Sequence, residues 1–396
     1  MPHIPLRGKD IRKRNEKLVL SLIQKNDGIS QSQVANITGL KPPTVLRIFD
    51  NLESSNLITV CKQQKEISEK KGRRPVFYCV NPEIFYTVGI DFWSRSISIV
   101  IVNFNRRPVF KKIISLPNNV DADFVREKMT ELIRSSLEQA SIPYDKLLGI
   151  GVGAPGRVDI EQGTVIYYSR IHGMTNFNLK EFLENTFSTP VYIHNNCSVI
   201  ALSEYRYGKA KESESLLTIL IRSGVGGAFI QNGRLFVNKR KTTLELGHMS
   251  IDINGRDCEC GNRGCLETYI SEDAIIGDMS EIVPVESLSD IETILIQKDK
   301  ASLQRMEEKG ELLAHGIRNL YQLFNPDTIL IVSRSKIISD LYVNVTKSVL
   351  QHDQSIPYVS PIEVLSDKYD PFLTCHGATD IVFDQYFSLQ ADGTLS

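Results

Sequence analysis

The sequence predicts an α/β protein in two parts, a small, largely helical head followed by a two-lobed body in which strands and helices alternate. Residues 1–75 hold 15 Lys and Arg against 7 Asp and Glu, while the rest of the chain holds 31 against 40, so a basic segment is joined to an acidic one. Helical periodicity fills residues 10–54, and from Phe85 the texture changes to short apolar runs separated by amphipathic stretches. One histidine and three cysteines crowd into residues 248–265. A chain of 396 residues, 41% hydrophobic, is long enough for two or three cores. No run approaches the roughly 20 apolar residues of a membrane span, and Met1 to Arg14 lacks the apolar stretch of a signal peptide, which predicts a cytoplasmic protein with no membrane partner.

From Asp10 to Gln24 the residues Ile11, Leu18, Val19, Leu20, Leu22 and Ile23 suit a helix with one buried face, closed by Asn26-Asp27-Gly28. Ser30 caps a short helix whose buried residues are expected to be Val34, Ala35 and Ile37, and Thr38-Gly39 makes the turn into a third helix from about Pro42 to Ser54. Helix, tight turn and helix is the helix-turn-helix plan. The third helix keeps Val45, Ile48, Phe49 and Leu52 for the core, leaving Lys41, Thr44, Arg47 and Asn51 for the major groove of double-stranded DNA. Leu57 to Val60 and Val76 to Val80 read as the two strands of a wing. Between them Gly72-Arg73-Arg74-Pro75 is suited to a minor groove, with Arg73 and Arg74 as the readers. The winged head is expected to span residues 1–80.

The body, 81–396, is expected to form two α/β lobes around a cleft, one from about 81–200 plus the C-terminal helix and the other from about 201–370. Strands are predicted at 86–91, 97–103, 107–114, 147–152, 190–194, 216–221 and 226–231. Helices are predicted near 121–139, 178–186, 197–207, 303–324, 335–350 and 372–387. Seven cysteines, an odd number with three close together, fit a metal better than a disulfide framework. His248 with Cys258, Cys260 and Cys265 supplies the four ligands of tetrahedral zinc, and with no exchangeable position left the ion is expected to be structural. A nucleic-acid-binding zinc ribbon is the competing reading, but ribbons need two paired-ligand knuckles, and here there is one compact cluster.

Taken together, Glu245-Leu-Gly-His248 and Cys258-Glu-Cys260-Gly-Asn-Arg-Gly-Cys265-Leu-Glu267 resemble the signature of the ROK family of sugar kinases and sugar-responsive repressors. Gly151-Val-Gly-Ala-Pro-Gly156, the turn at Asn195, Ser223-Gly-Val-Gly-Gly227 and Phe324-Asn-Pro-Asp327 extend the resemblance along nearly the whole chain. It implies a two-lobed, actin-like ATPase/sugar-kinase fold. It also implies a sugar held by groups matching Asn195, Asn196, Glu245, His248 and Glu267, with backbone from Gly153 to Gly156. Carboxylates and amides on rigid turns suit the paired hydroxyls of a sugar.

The kinases of the family carry Asp-x-Gly-Gly-Thr against the ATP phosphates, where this sequence reads Asp91-Phe-Trp-Ser-Arg95, with Trp93 at a glycine position. Their second phosphate loop is matched by Arg222-Ser-Gly-Val-Gly-Gly227, and a later Gly-Gly by Ser333-Arg334. The family's Asn-Asp pair appears as Asn195-Asn196, and an amide cannot take a proton from a sugar hydroxyl. The resemblance therefore implies a sugar-responsive repressor acting as a homodimer or homotetramer on a DNA operator, with no ATP bound and no kinase activity. An active sugar kinase that also binds DNA is the alternative, and it leaves the altered phosphate loops unexplained.

Overall fold

The computed structural model describes residues 8–26, 28–61, 75–239, 242–351 and 362–388. The head contains α1 (Gly8–Lys25), β1 (Ile29–Ser30), α2 (Gln31–Thr38), α3 (Pro42–Ser54), β2 (Ile58–Val60) and β3 (Phe77–Val80). Ser30 caps α2 through a capping box, its hydroxyl accepting from the Gln33 N–H at 3.3 Å while the Gln33 side chain accepts from the Ser30 N–H at 2.9 Å. Pro42 and Pro43 open α3, where the absent N–H costs nothing. Val19, Ile23, Val34, Val45, Ile48, Phe49 and Leu52 close the core as expected.

Two expectations for the head need correction, and two further features go beyond them. Ile37 is 61% exposed, because α2 is only two turns long and turns Val34 alone fully inward. Ile11 and Leu18 also lie on the solvent side of α1. The wing has a third strand, β1, paired antiparallel to β3 on the edge opposite β2. Cys61 and Cys79 are joined in a disulfide across the wing, so of the seven cysteines three lie in the cluster, two form the bridge, and Cys197 and Cys375 are buried and free.

The body begins with β4 (Tyr86–Trp93), β5 (Ser96–Asn103), β6 (Pro108–Ser115), α4 (Ala122–Gln139) and β7 (Leu147–Ala154). Three short strands follow, β8 (Arg157–Asp159), β9 (Thr164–Tyr167) and β10 (Thr175–Asn178), then α5 (Leu179–Phe187), β11 (Val191–Asn195) and α6 (Asn196–Tyr207). The second half contains β12 (Ser215–Ile221), β13 (Val225–Gln231), β14 (Arg234–Leu235), α7 (Glu267–Ile270), α8 (Glu272–Ser280) and α9 (Leu288–Ile296). It continues with α10 (Lys300–Phe324), β15 (Thr328–Ser333), α11 (Lys336–Gln351), β16 (Glu363–Lys368) and α12 (Pro371–Phe387).

Two five-stranded sheets organise the body, in the orders β11-β7-β4-β5-β6 and β14-β13-β12-β15-β16. In the first, β4, β7 and β11 run parallel, with Asp91 level with Gly153 and Asn195 level with Ala154, so their carboxyl ends form one rim. Ligands of open α/β sheets sit at such rims. α12 returns from the second half to lie against β4, β7 and α6. The approach is close: a Cβ at Gly377 of α12 would stand 1.9 Å from the Val199 carbonyl oxygen of α6, so only glycine lets the two helix backbones touch. The head shares this scaffold, since its apolar core is continuous with Val100, Val102, Phe104, Cys375 and Phe383 of the body.

Candidate functional site

Asn195 and Asn196 stand where β11 ends and α6 begins. Asn195 caps the helix, its side-chain oxygen accepting from the Cys197 N–H at 2.8 Å and its amide nitrogen donating to the Gly156 carbonyl at 2.7 Å. That second bond ties the Gly153–Gly156 loop to the helix. Gly156 has φ +70°, and a Cβ there would lie 2.3 Å from the Tyr167 carbonyl oxygen, so the turn requires glycine. Asn196, the first residue of α6, is buried, with its Cα close to Gly153.

From the second half, Glu245 and His248 sit on a single helical turn after β14, and Glu267 opens α7. The Glu267 carboxylate lies 3.2 Å from Nδ1 of His248 and accepts weakly from the Val225 N–H at 3.4 Å. Glu245 opens toward solvent, yet desolvation raises its pKa, and neighbouring His248 and Arg157 offset only part of this. Gly153, Gly156, Asn195 and Asn196 thus stand together at the rim of the first sheet and His248 and Glu267 together in the second half, where Glu245 lies near enough to Arg157 of β8 to feel its charge.

His248, Cys258, Cys260 and Cys265 each offer one ligand atom, and these atoms all lie within 4.8 Å of one another. The Sγ atoms of Cys260 and Cys265 are 3.6 Å apart, as are Sγ of Cys258 and Nδ1 of His248. Four atoms bound at about 2.3 Å in a tetrahedron stand roughly 3.8 Å apart, so the cluster could hold a metal ion. Burial and then the neighbouring sulfurs push the Cys265 thiol up to about 12, a penalty that a dication would remove.

A second group gathers where the phosphate loops of the kinases were expected. Trp93 ends β4 with its side chain buried and its indole N–H donating to Ser96 Oγ at 2.7 Å. The guanidinium groups of Arg222, Arg334 and Arg95 stand 5.1, 5.3 and 5.8 Å from its ring centre. Arg222 also pairs with Asp91 at 3.3 Å, and the Tyr369 hydroxyl donates to the same carboxylate oxygen at 2.5 Å. Desolvation pushes the pKa of the fully buried Asp91 upward, with Arg222 and Tyr369 pulling the other way. Asp273 on α8 receives Arg95 at 3.4 Å and also Arg170, which donates to the Ser223 carbonyl as well, so three bonds cross from one half of the body to the other. A cavity of about 220 Å³ is lined by Arg95, Glu272, Arg334 and the start of α9, and by none of the predicted sugar residues.

On the head, Lys41 and Arg47 are exposed along the first turns of α3, and Thr44 is half-buried between them. Asn51 is not free for DNA: its amide donates to Glu16 of α1 at 3.1 Å. Leu46, next to Arg47 and half exposed, carries no polar signal in the sequence, yet an apolar group there can meet a thymine methyl. Arg73 and Arg74 lie outside the described residues.

The description "ROK family" matches residues 87–385, and "Winged helix-turn-helix DNA-binding" matches residues 12–59. The chain belongs to the ROK family. It is similar to a xylose repressor of Bacillus spizizenii, 30% identical over 81% of this chain and 82% of the relative, and to one of Bacillus subtilis, 28% identical over 96% and 97%. It is also similar to the DNA-binding transcriptional dual regulator NagC of Escherichia coli, 26% identical over 81% and 80%. Among solved structures, a ROK family transcriptional regulator homologous to the E. coli MLC protein shares the fold over 98% of both chains, with TM-score 0.78 and 23% identity. A ROK glucokinase of Streptomyces griseus matches 75% of this chain and 98% of its own, with TM-score 0.64 and 20% identity. The kinase-like match thus stops short of the whole chain, and the regulator-like match includes the head.

Proposed function

We propose that this ROK protein is a sugar-responsive DNA-binding transcriptional regulator, a repressor of carbohydrate-utilisation genes whose hold on an operator changes when a sugar enters the rim between its lobes. One observation carries the reading: a winged head and a ROK body occupy one chain. The mutual contacts of Trp93, Arg222 and Asp91, which the resemblance would put at the kinases' phosphate loops, support it. The sugar would be held by Asn195, Asn196, Glu245, His248 and Glu267 with backbone from Gly153 and Gly156. Asn196 offers an amide where a kinase needs a base, so neither phosphoryl transfer nor ATP binding is expected.

His248, Cys258, Cys260 and Cys265 would hold a structural zinc whose role is to fix the loop that presents Glu245 and Glu267. Nδ1 stands 3.6 Å from Sγ of Cys258, so a metal bound there would leave Nε2 for a ligand. DNA would be read by Lys41, Thr44, Arg47 and Leu46 in the major groove and by Arg73 and Arg74 in the minor groove. The head is assigned to 1–80 and the body to 81–396, acting in the cytoplasm as a homodimer or homotetramer on a two-fold operator.

Thermal-shift titrations with D-xylose and N-acetylglucosamine, the sugars named by the relatives, followed by ATP and a coupled ADP-release assay, test this. A rise in melting temperature with a sugar, none with ATP and no turnover is the expected result. Turnover near the roughly 1–100 per second of ordinary kinases would overturn it.

A further inference from the structure

A buried polar joint links the rim to the DNA-binding head. α6 begins at Asn195 and Asn196 and runs about 18 Å to Arg206 and Tyr207. There Arg206 pairs with Asp380 of α12 at 2.9 Å and with Asp384 at 2.6 Å, and the Tyr207 hydroxyl donates to Asp380 at 2.8 Å. Asp380 is 1% exposed and also receives Arg106, from the turn between β5 and β6. Arg106 in turn donates to the side-chain oxygen of Gln24 on α1 at 3.1 Å, and Gln24 donates to the Phe104 carbonyl at 2.8 Å. Gln24 is buried and belongs to the head. Arg206 and Asp380 are held by charge without a hydrogen bond, the other links are hydrogen-bonded, and the backbone contact at Gly377 leaves α6 no room to slide without carrying α12 with it.

We propose that Arg106, Asp380 and Arg206 form the joint through which the state of the sugar rim sets the position of the head. The inference rests on the repressor reading above. A sugar that engages Asn195 and Asn196 acts on the first turn of α6. A rigid helix delivers that displacement to Arg206 and Tyr207, where a buried carboxylate shared by two guanidinium groups cannot re-form its bonds part-way. Arg106 follows Asp380, and Gln24 follows Arg106. These are positioning residues: none is proposed to touch sugar or DNA.

The experiment uses the full-length protein and a DNA duplex selected from a random pool by the sugar-free protein. Duplex affinity is measured by anisotropy with and without D-xylose, or N-acetylglucosamine if that is the sugar that raises the melting temperature. The wild-type ratio of the two affinities is expected within the roughly 5- to 150-fold of ordinary coupling. Gln24→Ala and, separately, Arg106→Ala should cut that ratio to about threefold or less while sugar affinity, measured without DNA, stays within about twofold of wild type. Gln24→Ala leaves the contacts of Asp380 with Arg106, Arg206 and Tyr207 untouched, so it serves if Arg106→Ala misfolds. Variants that keep the wild-type ratio would overturn the joint and leave the repressor reading standing. A wild-type protein whose duplex affinity ignores both sugars would overturn that reading and the joint with it.

Discussion

Arg222→Ala tests whether an internal ion pair has taken the place of bound phosphate. In the folded protein Asp91 is fully buried, one carboxylate oxygen has no hydrogen-bond partner among the described residues, and the other is shared by Arg222 and Tyr369. Removing the guanidinium leaves a buried carboxylate held by one hydroxyl, a change worth about 3–5 kcal/mol. At about 2–4 °C per kcal/mol that is a fall of roughly 6–20 °C in the melting temperature. The sign with pH follows from the carboxyl itself. Its pKa in the folded state already lies above the ordinary 3.8 through desolvation, and loss of Arg222 raises it further. A carboxyl raised on folding contributes stability at low pH and loses it as pH rises toward the folded value. The penalty should therefore be larger at pH 8 than at pH 5, and Asp91→Asn in the Arg222→Ala background should recover most of it. Differential scanning calorimetry at the two pH values reads all three effects. A melting temperature within about 2 °C of wild type at pH 8, well under the fall expected for an unpaired buried charge, would refute the reasoning.

For the metal, the protein should carry about one zinc per chain, and Cys260→Ser should lose it along with the sugar-induced rise in melting temperature; plasma emission spectrometry finding no zinc in wild type would reject the assignment. In the head, Arg47→Ala should relax sequence preference by about 1–3 kcal/mol, whereas Arg73→Ala with Arg74→Ala should flatten the log-log salt dependence by about 0.9 per lost contact. Salt titrations that show no change in either variant would contradict the docking. Glu204, 2% exposed on α6, has its pKa pushed up to about 7 from 4.5, first by burial and then by Asp367. Its charging removes stability between those two values, so Glu204→Gln should stabilise the fold by about 3 kcal/mol at pH 8 and hardly at pH 4. Urea titrations at both pH values check this.

Much of this was legible in the sequence because the signals were local. Caps and 3.6-residue periodicity placed α2 and α3, and the crowding of His248 with three cysteines pointed to one cluster before any folding was known. What escaped depends on partners far along the chain. Asn51 reads as exposed by its helical position, and only the packing of α1 brings Glu16 to it. Cys61 and Cys79 meet only once the wing strands take their register. β16 lies at a sheet edge, so only Val364 is fully buried and no alternation marks the strand. The strands of the β8–β10 sheet are three or four residues long and mostly polar, too short to show a period. Trp93 could be recognised as out of place, but its three guanidinium neighbours come from three separate segments.

The apolar core shared by the head and the first sheet sets how this protein comes apart. Lys17 of α1 donates to the Tyr386 carbonyl at 2.5 Å, and Phe104 and Phe383 sit in one buried cluster with Val19 and Ile23. A head held this way melts with the sheet beneath it rather than as an independent bead. Severing the chain near residue 80 would strip the cover from Val100, Val102, Phe104 and Phe383 and leave an adhesive apolar face on the body. Fragments cut there should aggregate, so the intact chain is the form in which to measure what sugar and DNA do to each other.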